Sequence, residues 1–270
     1  MNDRVDRLRL HASLLWEYFL QYLKVRVSYR GDFLVSVLTS LAASLFALGF
    51  VLILIRQVHA LAGWTVPEII FLYGFAMVPY GLFNILSLNL YEFGNTYIME
   101  GKFDRILLRP VSSLFQILFE NFRIESFHEA AVGVVIVVWM GLELHLHWTM
   151  GDAALFVLYA VCGGAIYVSF FLLLSTFSFW FEDRIGIHPP FWNLIAFGRW
   201  PLSIYSGAVQ FFLSWVVPFG FATFYPGARL LHHWEFRRFA LIVPLISLAC
   251  MSVAAFAWRL GVRHYSSTGS

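Results

Sequence analysis

Three ionisable side chains stand close together at the edge of a long apolar run, and they are the first candidates for chemistry. Glu125, His128 and Glu129 are spaced so that they share one face of a helix. Carboxylate and imidazole groups in this arrangement could hold a metal ion or relay protons. Because the run begins where lipid headgroups would lie, we favour interfacial salt bridges, to Arg123 or to headgroups, over either kind of site.

Two other patterns look like ligand sites but lack essential parts. Two histidine pairs have no third ligand nearby, so we expect no metal there; they are His145 with His147 and His232 with His233. Gly94 to Lys102 resembles a phosphate-binding loop, but the spacing to Gly101-Lys102 is too long. Phe103 also stands where a serine or threonine would hold magnesium. We therefore expect no catalytic residues, no metal site and no nucleotide site in this chain.

The composition indicates an integral membrane protein. Of the 270 residues, 60% are hydrophobic and only 13% are charged, against about 25% charged in soluble domains. The net charge of +2 and the scattered basic residues argue against nucleic-acid binding. Cys162 and Cys250 fall inside apolar runs, so neither a disulfide framework nor a zinc site is expected. A cleavable signal peptide is not expected either, because the first 31 residues are rich in charge.

Long apolar runs predict an all-α membrane protein built as a single domain over residues 1–270. A helix needs about 20 residues to cross the hydrocarbon core, and the sequence shows no internal repeat and no linker. The confident spans are predicted at residues 33–55, 67–91, 127–143, 153–181 and 239–259.

A sixth span is predicted between Ile187 and Phe224, and two halves compete for it. Six spans with both termini cytoplasmic put 14 of the 18 lysines and arginines inside, as the positive-inside rule prefers. Either residues 188–205 cross and 206–225 are re-entrant, or the reverse holds. Hydropathy favours the second half as the crossing, because the first would bury Arg199 at a cost of about 2.5–3.5 kcal/mol.

Ahead of the first span, residues 10–27 are predicted to form an amphipathic helix on the inner membrane surface. Its apolar positions are Leu14, Leu15, Tyr18, Phe19, Tyr22 and Leu23, opposite Glu17, Gln21 and Lys24.

The loop between the second and third spans, residues 92–121, is long for a compact membrane domain. Its middle is predicted to be a short amphipathic helix, with Phe103, Ile106 and Leu107 on one side and Lys102, Asp104 and Arg105 on the other. Arg109-Pro110 ends that helix, because proline disfavours a helical residue before it. Ser112 or Ser113 is expected to cap the helix that follows.

The spacing Gly-x-x-Asp-x-x-Leu-x-x-Pro-x-Ser resembles the signature that follows the second span in ABC-2 type transporter permeases. It is carried here by Gly101, Asp104, Leu107, Pro110 and Ser112. Further similarity lies in Tyr29 to Phe33, in Pro201 to Tyr205 with Val217-Pro218 and Tyr225-Pro226, and in Gly261 to Ser267. The chain is similar to a bacterial subfamily usually encoded as two permeases with one ATPase.

The resemblance implies a permease subunit of an ATP-driven exporter in the bacterial cytoplasmic membrane. It implies a homodimer or a heterodimer with a second permease, surrounded by lipid, and a separate cytosolic ATPase that binds ATP and magnesium. A loop helix would couple that ATPase to the spans, with residues 10–27 as connecting helix and 188–205 as the fifth span. By position, the coupling residues are Glu100, Gly101, Asp104, Arg105, Leu107, Arg109 and Pro110.

Three polar residues within the spans are candidates for a translocation path. Asn84 and Asn89 give the second span a polar character, although interhelical hydrogen bonding is the favoured interpretation for them. Arg199 would need a cavity or a partner inside the membrane. An ion-coupled secondary transporter is the alternative function, but only Arg199 is an ionisable group at mid-membrane. A membrane-embedded enzyme is disfavoured because the nine histidines form no cluster.

Overall fold

The computed structural model describes residues 2–56, 60–181 and 188–266. Arg184 and Ile187, which entered the span prediction, and Ser267, which entered the resemblance, lie outside these ranges. The α-helices are α1 Asn2–Ser28, α2 Arg30–Arg56, α3 Val66–Tyr91, α4 Lys102–Leu107, α5 Ser113–Phe119, α6 Phe127–Glu143, α7 Met150–Thr176, α8 Ser178–Phe181, α9 His188–Leu194, α10 Gly207–Phe211, α11 Tyr225–Leu230, α12 Arg237–Leu241 and α13 Val243–His264.

Short turns of 3-10 or π helix join several of these helices. They are Phe93–Met99, Ile124–Ser126, Ile195–Arg199, Leu202–Ile204, Phe212–Val216, Gly220–Phe224 and Trp234–Phe236. A two-residue hairpin precedes α3, in which β1 Ala60–Leu61 pairs antiparallel with β2 Trp64–Thr65. The protein is therefore an all-α membrane protein with one minor hairpin among its described residues, and several of its helices are long and apolar enough to cross a bilayer.

Helix α3 is the centre of the bundle. It packs against α6 and α7, and α13 packs on the far side of α7. Glycines let α3 and α6 approach closely, because a Cβ atom added at Gly133 would lie only 2.6 Å from the carbonyl oxygen of Gly74. Helix α3 has apolar residues on all its sides and is buried over most of its length, as expected of a helix surrounded by protein.

Helices α1 and α2 form an almost continuous rod at the edge of the bundle. Backbone hydrogen bonds run across their junction, from Tyr29 N to Val25 O (3.0 Å) and from Phe33 N to Tyr29 O (3.1 Å). The N-terminal helix is therefore longer than the predicted 10–27. The most apolar stretch of α2 has no buried residue, so this helix leaves most of its surface open to lipid or to another subunit.

Residues 188–205 run beside α3 in the opposite direction, from its end back to its start. This segment is broken at Trp200-Pro201, because proline lacks an N–H group and disfavours helix at the preceding residue. At the end of α3, His188 contacts Ser175, whose hydroxyl donates to Leu90 O, and Trp192 contacts Tyr91 and Phe83. Nearer the start of α3, Arg199 contacts Tyr80, and Ser203 accepts a hydrogen bond from Trp64.

The next segment, residues 207–230, is a bent pair of short helices with an angle of 81° between its arms. The bend falls at Val217-Pro218, where the backbone of Val217 is extended. Ser203, just before the pair, contacts Trp64, and His233, just after it, lies 2.8 Å from Glu68 in the first turn of α3. Both ends of the pair therefore lie at the end of the bundle where α3 begins.

Candidate functional site

The loop between α3 and α6 is anchored to the bundle by an aromatic cluster. We define this cluster as Phe93, Phe103, Phe179, Trp258 and Tyr265. Phe103 projects from α4 and is fully buried, with ring centroids 4.9 Å from Tyr265, 5.4 Å from Phe179 and 5.8 Å from Phe93. Edge-to-face contacts at these distances add to the free energy of apolar burial. The cluster therefore ties α4 to α8 and to the end of α13.

The buried face of α4 differs from the predicted one. Ile106 is buried beside Phe103, but Leu107 is 44% exposed and the following Leu108 is 84% exposed. In a helix of fewer than two turns, apolar spacing cannot decide which neighbour of a buried residue faces inward. The prediction that Leu107 lies on the packed side is wrong, and Leu107 is free to contact another protein.

The carboxylate of Asp104 accepts a hydrogen bond from within the chain and is not only an exposed charge. The Tyr265 hydroxyl donates a hydrogen bond of 2.9 Å to its carboxylate. Burial, together with this hydrogen bond to a carboxylate, raises the pKa of Tyr265 to about 12, so the phenol keeps its proton at neutral pH. Asp104 therefore attaches the end of the chain to α4, a role that its position in the loop signature did not predict.

The turn after α4 is held by side-chain bonds from α5. Gln116 is fully buried and donates to the carbonyls of Ile106 (3.2 Å) and Val111 (3.0 Å). Arg109 donates to Gln116 (3.3 Å) and lies 3.7 Å from Glu120. As predicted, Ser112 caps α5, accepting a bond from the backbone N–H of Phe115. The shape of the turn is thus determined from within the loop.

Gly101 has a conformational role at the start of α4. Its φ is +67°, in the left-handed region where side chains other than glycine are strained. Next to it, Lys102 and Glu100 form an exposed ion pair of 2.8 Å, which contributes little to stability. Gly101 therefore determines the shape of the loop through its backbone conformation.

These constraints leave a compact exposed surface at the end of the loop, which we call the loop tip. It consists of Met99, Glu100, Arg105, Leu107, Leu108, Arg109 and Pro110. Apolar and charged groups alternate on it over a rigid, buried base. Such a surface is suited to binding a protein, because exposed apolar side chains on a pre-ordered backbone cost little entropy when they are covered.

Helix α1 is attached to the loop by a charged triad, which we call the α1 clasp. Arg26 forms a salt bridge with Glu125, and the Tyr22 hydroxyl donates a bond of 2.8 Å to the same carboxylate. Arg26 also donates to the Tyr22 oxygen at 2.9 Å. Burial and the adjacent Glu125 raise the pKa of Tyr22. From the sequence we favoured Arg123 or lipid headgroups as salt-bridge partners for this ionisable group, and in the structure the partner of Glu125 is Arg26. The i, i+4 spacing of Tyr22 and Arg26 was the available signal for this pair.

Substitution of Arg26 by methionine is expected to release α1 from the loop. Glu125 is 7% exposed, and removing its cation leaves a nearly buried carboxylate without its salt bridge. We expect amide hydrogen exchange in residues 13–28 to become at least tenfold faster in detergent or nanodiscs. Arg30→Met is the matched control, because Arg30 is exposed and lies one turn later on the same rod. Equal exchange rates in the two variants would contradict a clasp.

The other two members of the predicted ionisable group have separate partners. Asn84 donates to Glu129 at 2.6 Å, and His128 lies 3.2 Å from the Ser44 hydroxyl of α2. In the part of the chain that the structure describes, no group of three or more histidine, cysteine or acidic side chains could hold a metal ion. Glu125, Glu129 and His128 therefore connect three different helices to the start of α6.

The predicted path residues in α3 are buried and hydrogen-bonded. Asn84 is 4% exposed and Asn89 is 2% exposed. Asn89 donates to Asn121 O (3.2 Å), and the Asn121 amide donates back to the Asn89 side chain (3.0 Å). In this conformation both asparagines hold α3 to the loop and to α6. This arrangement fits the interhelical hydrogen bonding that the sequence favoured.

Arg199 lies in the middle of the bundle without a carboxylate partner in hydrogen-bond range among the described residues. Its guanidinium lies 4.9 Å from the centre of the Tyr80 ring and 5.7 Å from that of Tyr73. Its Nε–H group is buried and donates to no described residue, and the fully buried Tyr167 hydroxyl has no hydrogen-bond partner there either. Cation–π contacts offset part of the cost of desolvating the guanidinium, and two polar groups stay unsatisfied.

A cavity of about 370 Å³ opens at the loop end of the bundle. Its lining combines charge with aromatic rings, through Glu92, Arg123, Tyr91 and Trp192. Trp192 also contacts Phe83, one turn from Tyr80 on α3. The cavity therefore opens beside Trp192, from which the contacts between α3 and residues 188–205 continue to Arg199.

The chain matches a family of known proteins. A family model described as "ABC-2 family transporter protein" matches residues 38–269, which is most of the chain. No curated protein and no solved structure matches it.

Proposed function

This chain belongs to the ABC-2 family of transporter proteins, and we propose that it is the permease subunit of an ATP-driven exporter. In this proposal it forms the substrate path with a second permease, either another copy or a different chain. A separate cytosolic ATPase holds ATP and magnesium. The observation that carries the proposal is the loop tip, which is exposed although its base is among the best-packed parts of the molecule.

The proposal includes six membrane crossings, with residues 188–205 as the fifth. Support comes from the contacts of this segment along α3, which join opposite ends of the bundle. The bent pair at 207–230 begins and ends near the start of α3, and this geometry favours a re-entrant hairpin over a crossing. Both termini and the loop would then be cytoplasmic, as the distribution of basic residues favours.

Force from the ATPase would reach the spans by two routes. One is the aromatic cluster, through which Phe103 contacts the ends of α8 and α13. The other is the α1 clasp, which links the loop through Arg26 to the α1–α2 rod. Both routes are made of packed or paired groups without intervening loops, as transmission between two discrete arrangements requires.

Within the path, Arg199 is the residue proposed to act on the substrate, with Asn84 and Asn89 at the cytoplasmic side. The cavity at Tyr91 and Trp192 would be the entrance. An unpaired guanidinium beside Tyr80 favours a substrate with an anionic or electron-rich group.

Co-purification tests the proposal. Extraction of the tagged chain from its native membranes in mild detergent, followed by mass spectrometry, is expected to recover an ATPase. Leu108→Asp should lower that recovery at least tenfold, because a buried interface leucine is replaced by a charge. Met150→Asp is the matched control, since Met150 is 89% exposed at the opposite end of the bundle. Transport by chain reconstituted without any ATPase would overturn the proposal in favour of ion coupling.

A further inference from the structure

A second cavity lies on the outer surface of the bundle and is apolar almost throughout. It measures about 430 Å³ and lies between α3, α5, α7 and α13; we call it the apolar groove. Typical lining residues are Leu86, Leu118, Val161, Val168, Met251 and Ala255. The one hydroxyl in the lining, that of Ser169, donates its hydrogen to Ala165 O at 2.6 Å. The groove therefore offers no free polar donor to a ligand.

The length of the groove matches one leaflet of a bilayer. Its lining on α7 extends from Val161 to Leu172, which at about 1.5 Å per residue is roughly 16 Å. Half of a hydrocarbon core of about 30 Å is about 15 Å. Because α5 belongs to the loop and lines the groove, the groove lies in the half of the bundle nearest the loop.

A cation stands just beyond the groove at the same end. Met251, Ala255 and Arg259 are four residues apart on α13, so they lie in one row along the helix. Arg259 is exposed and has no salt bridge to another described residue. The neighbouring Trp258 donates to Ser113 of α5 at 3.2 Å, so α13 is bonded to the loop beside Arg259.

We propose that the apolar groove is a phospholipid site, in which one acyl chain lies along α7 and Arg259 binds the headgroup phosphate. A guanidinium matches a phosphate in charge and geometry, and the row from Met251 to Arg259 joins the chain to the headgroup. This lipid would fill the space between α3, α5, α7 and α13, beside the loop between α3 and α6. The site is separate from the loop tip and from Arg199, so it does not depend on the proposed transport function.

Photocrosslinking of the unmodified protein is the first test. The chain is reconstituted with phosphatidylglycerol that carries a diazirine in one acyl chain, irradiated and digested for mass spectrometry. Adducts are expected on residues 114–119, 161–172 and 251–255, at least fivefold above those on the exposed α13 residues Leu245, Leu248 and Ala249. Equal labelling of the two regions, or crosslinks from the groove to a second copy of the chain, would overturn the proposal.

Retention of lipid by variants is the second test, measured by native mass spectrometry with added phosphatidylglycerol. Ala255→Phe fills the groove and is expected to lower retention about tenfold, whereas Ala249→Phe, an identical change at an exposed position of α13, should leave it unchanged. Arg259→Gln should lower retention about fivefold for this anionic lipid, as loss of one cation near a headgroup implies. Arg263→Gln, one turn further from the groove, is its control. Equal retention in each variant and its control would contradict the site.

Discussion

The variant Phe103→Ala is expected to lose about 3–5 kcal/mol of unfolding free energy, the usual range for truncating a fully buried phenylalanine. No part of the Phe103 side chain is exposed, and its ring contacts Phe179, Trp258 and Tyr265, which are all distant in sequence. If the loop tip binds an ATPase as proposed, substrate-stimulated ATP hydrolysis should fall along with stability, because this base holds the loop tip in place.

Unfolding in denaturant, followed by tryptophan fluorescence, measures the stability of the variant. Leu107→Ala is the matched control, since it truncates a half-exposed residue on the same helix and should cost less than about 1 kcal/mol. The two variants should also differ in mechanism. If the loop tip binds the ATPase as proposed, Leu107→Ala should weaken that binding with little loss of stability, whereas Phe103→Ala should lower stability and coupling together. Equal destabilisation by both would mean that the aromatic cluster does not anchor the loop.

The variant Arg199→Met is expected to lose transport while becoming as stable as the unchanged chain or more so. Arg199 is partly buried and has no carboxylate in hydrogen-bond range among the described residues, so its replacement with an apolar residue of similar volume removes a desolvation cost. This gain offsets the lost cation–π contacts with Tyr73 and Tyr80, which are worth about 1–2 kcal/mol. If the guanidinium acts on the substrate, transport per molecule should fall at least tenfold.

Arg229→Met is the informative comparison. Arg229 is also nearly buried and lies 4.4 Å from the centre of the Trp234 ring, but it is 3.9 Å from the Asp152 carboxylate. Its removal leaves that carboxylate without its cation, so this variant should be destabilised. Thermal unfolding and transport in liposomes distinguish the cases. Loss of stability in Arg199→Met with transport unchanged would assign Arg199 a purely structural role.

Local sequence patterns were sufficient for the membrane class and for the approximate positions of the helices. Apolar runs predict them because each residue of a span must be acceptable to lipid or to a neighbouring helix, whichever residues surround it. Gly101 and Pro110 likewise act through their own backbone restrictions, which are readable without knowledge of the fold. The signature they belong to was enough to predict the family that the comparison confirms.

The choice between 188–205 and 206–225 illustrates what hydropathy could not decide. Hydropathy favoured residues 206–225 as the crossing because a crossing at 188–205 would carry the cost of burying Arg199. Tyr73 and Tyr80 on α3 reduce that cost, and they are more than a hundred residues away in sequence. The contacts of His188 and Ser203 then show that the first half connects the two ends of the bundle.

By itself, then, the sequence determined the membrane class, the presence of long apolar helices and the proline stop in the loop between α3 and α6. Only the tertiary structure decided which side of α4 faces outward, that Asp104 bonds Tyr265 and that Glu125 pairs with Arg26. The physical reason is one of range. Helix formation depends on residues three or four positions apart, whereas a buried face or a charged pair depends on groups that only folding brings together.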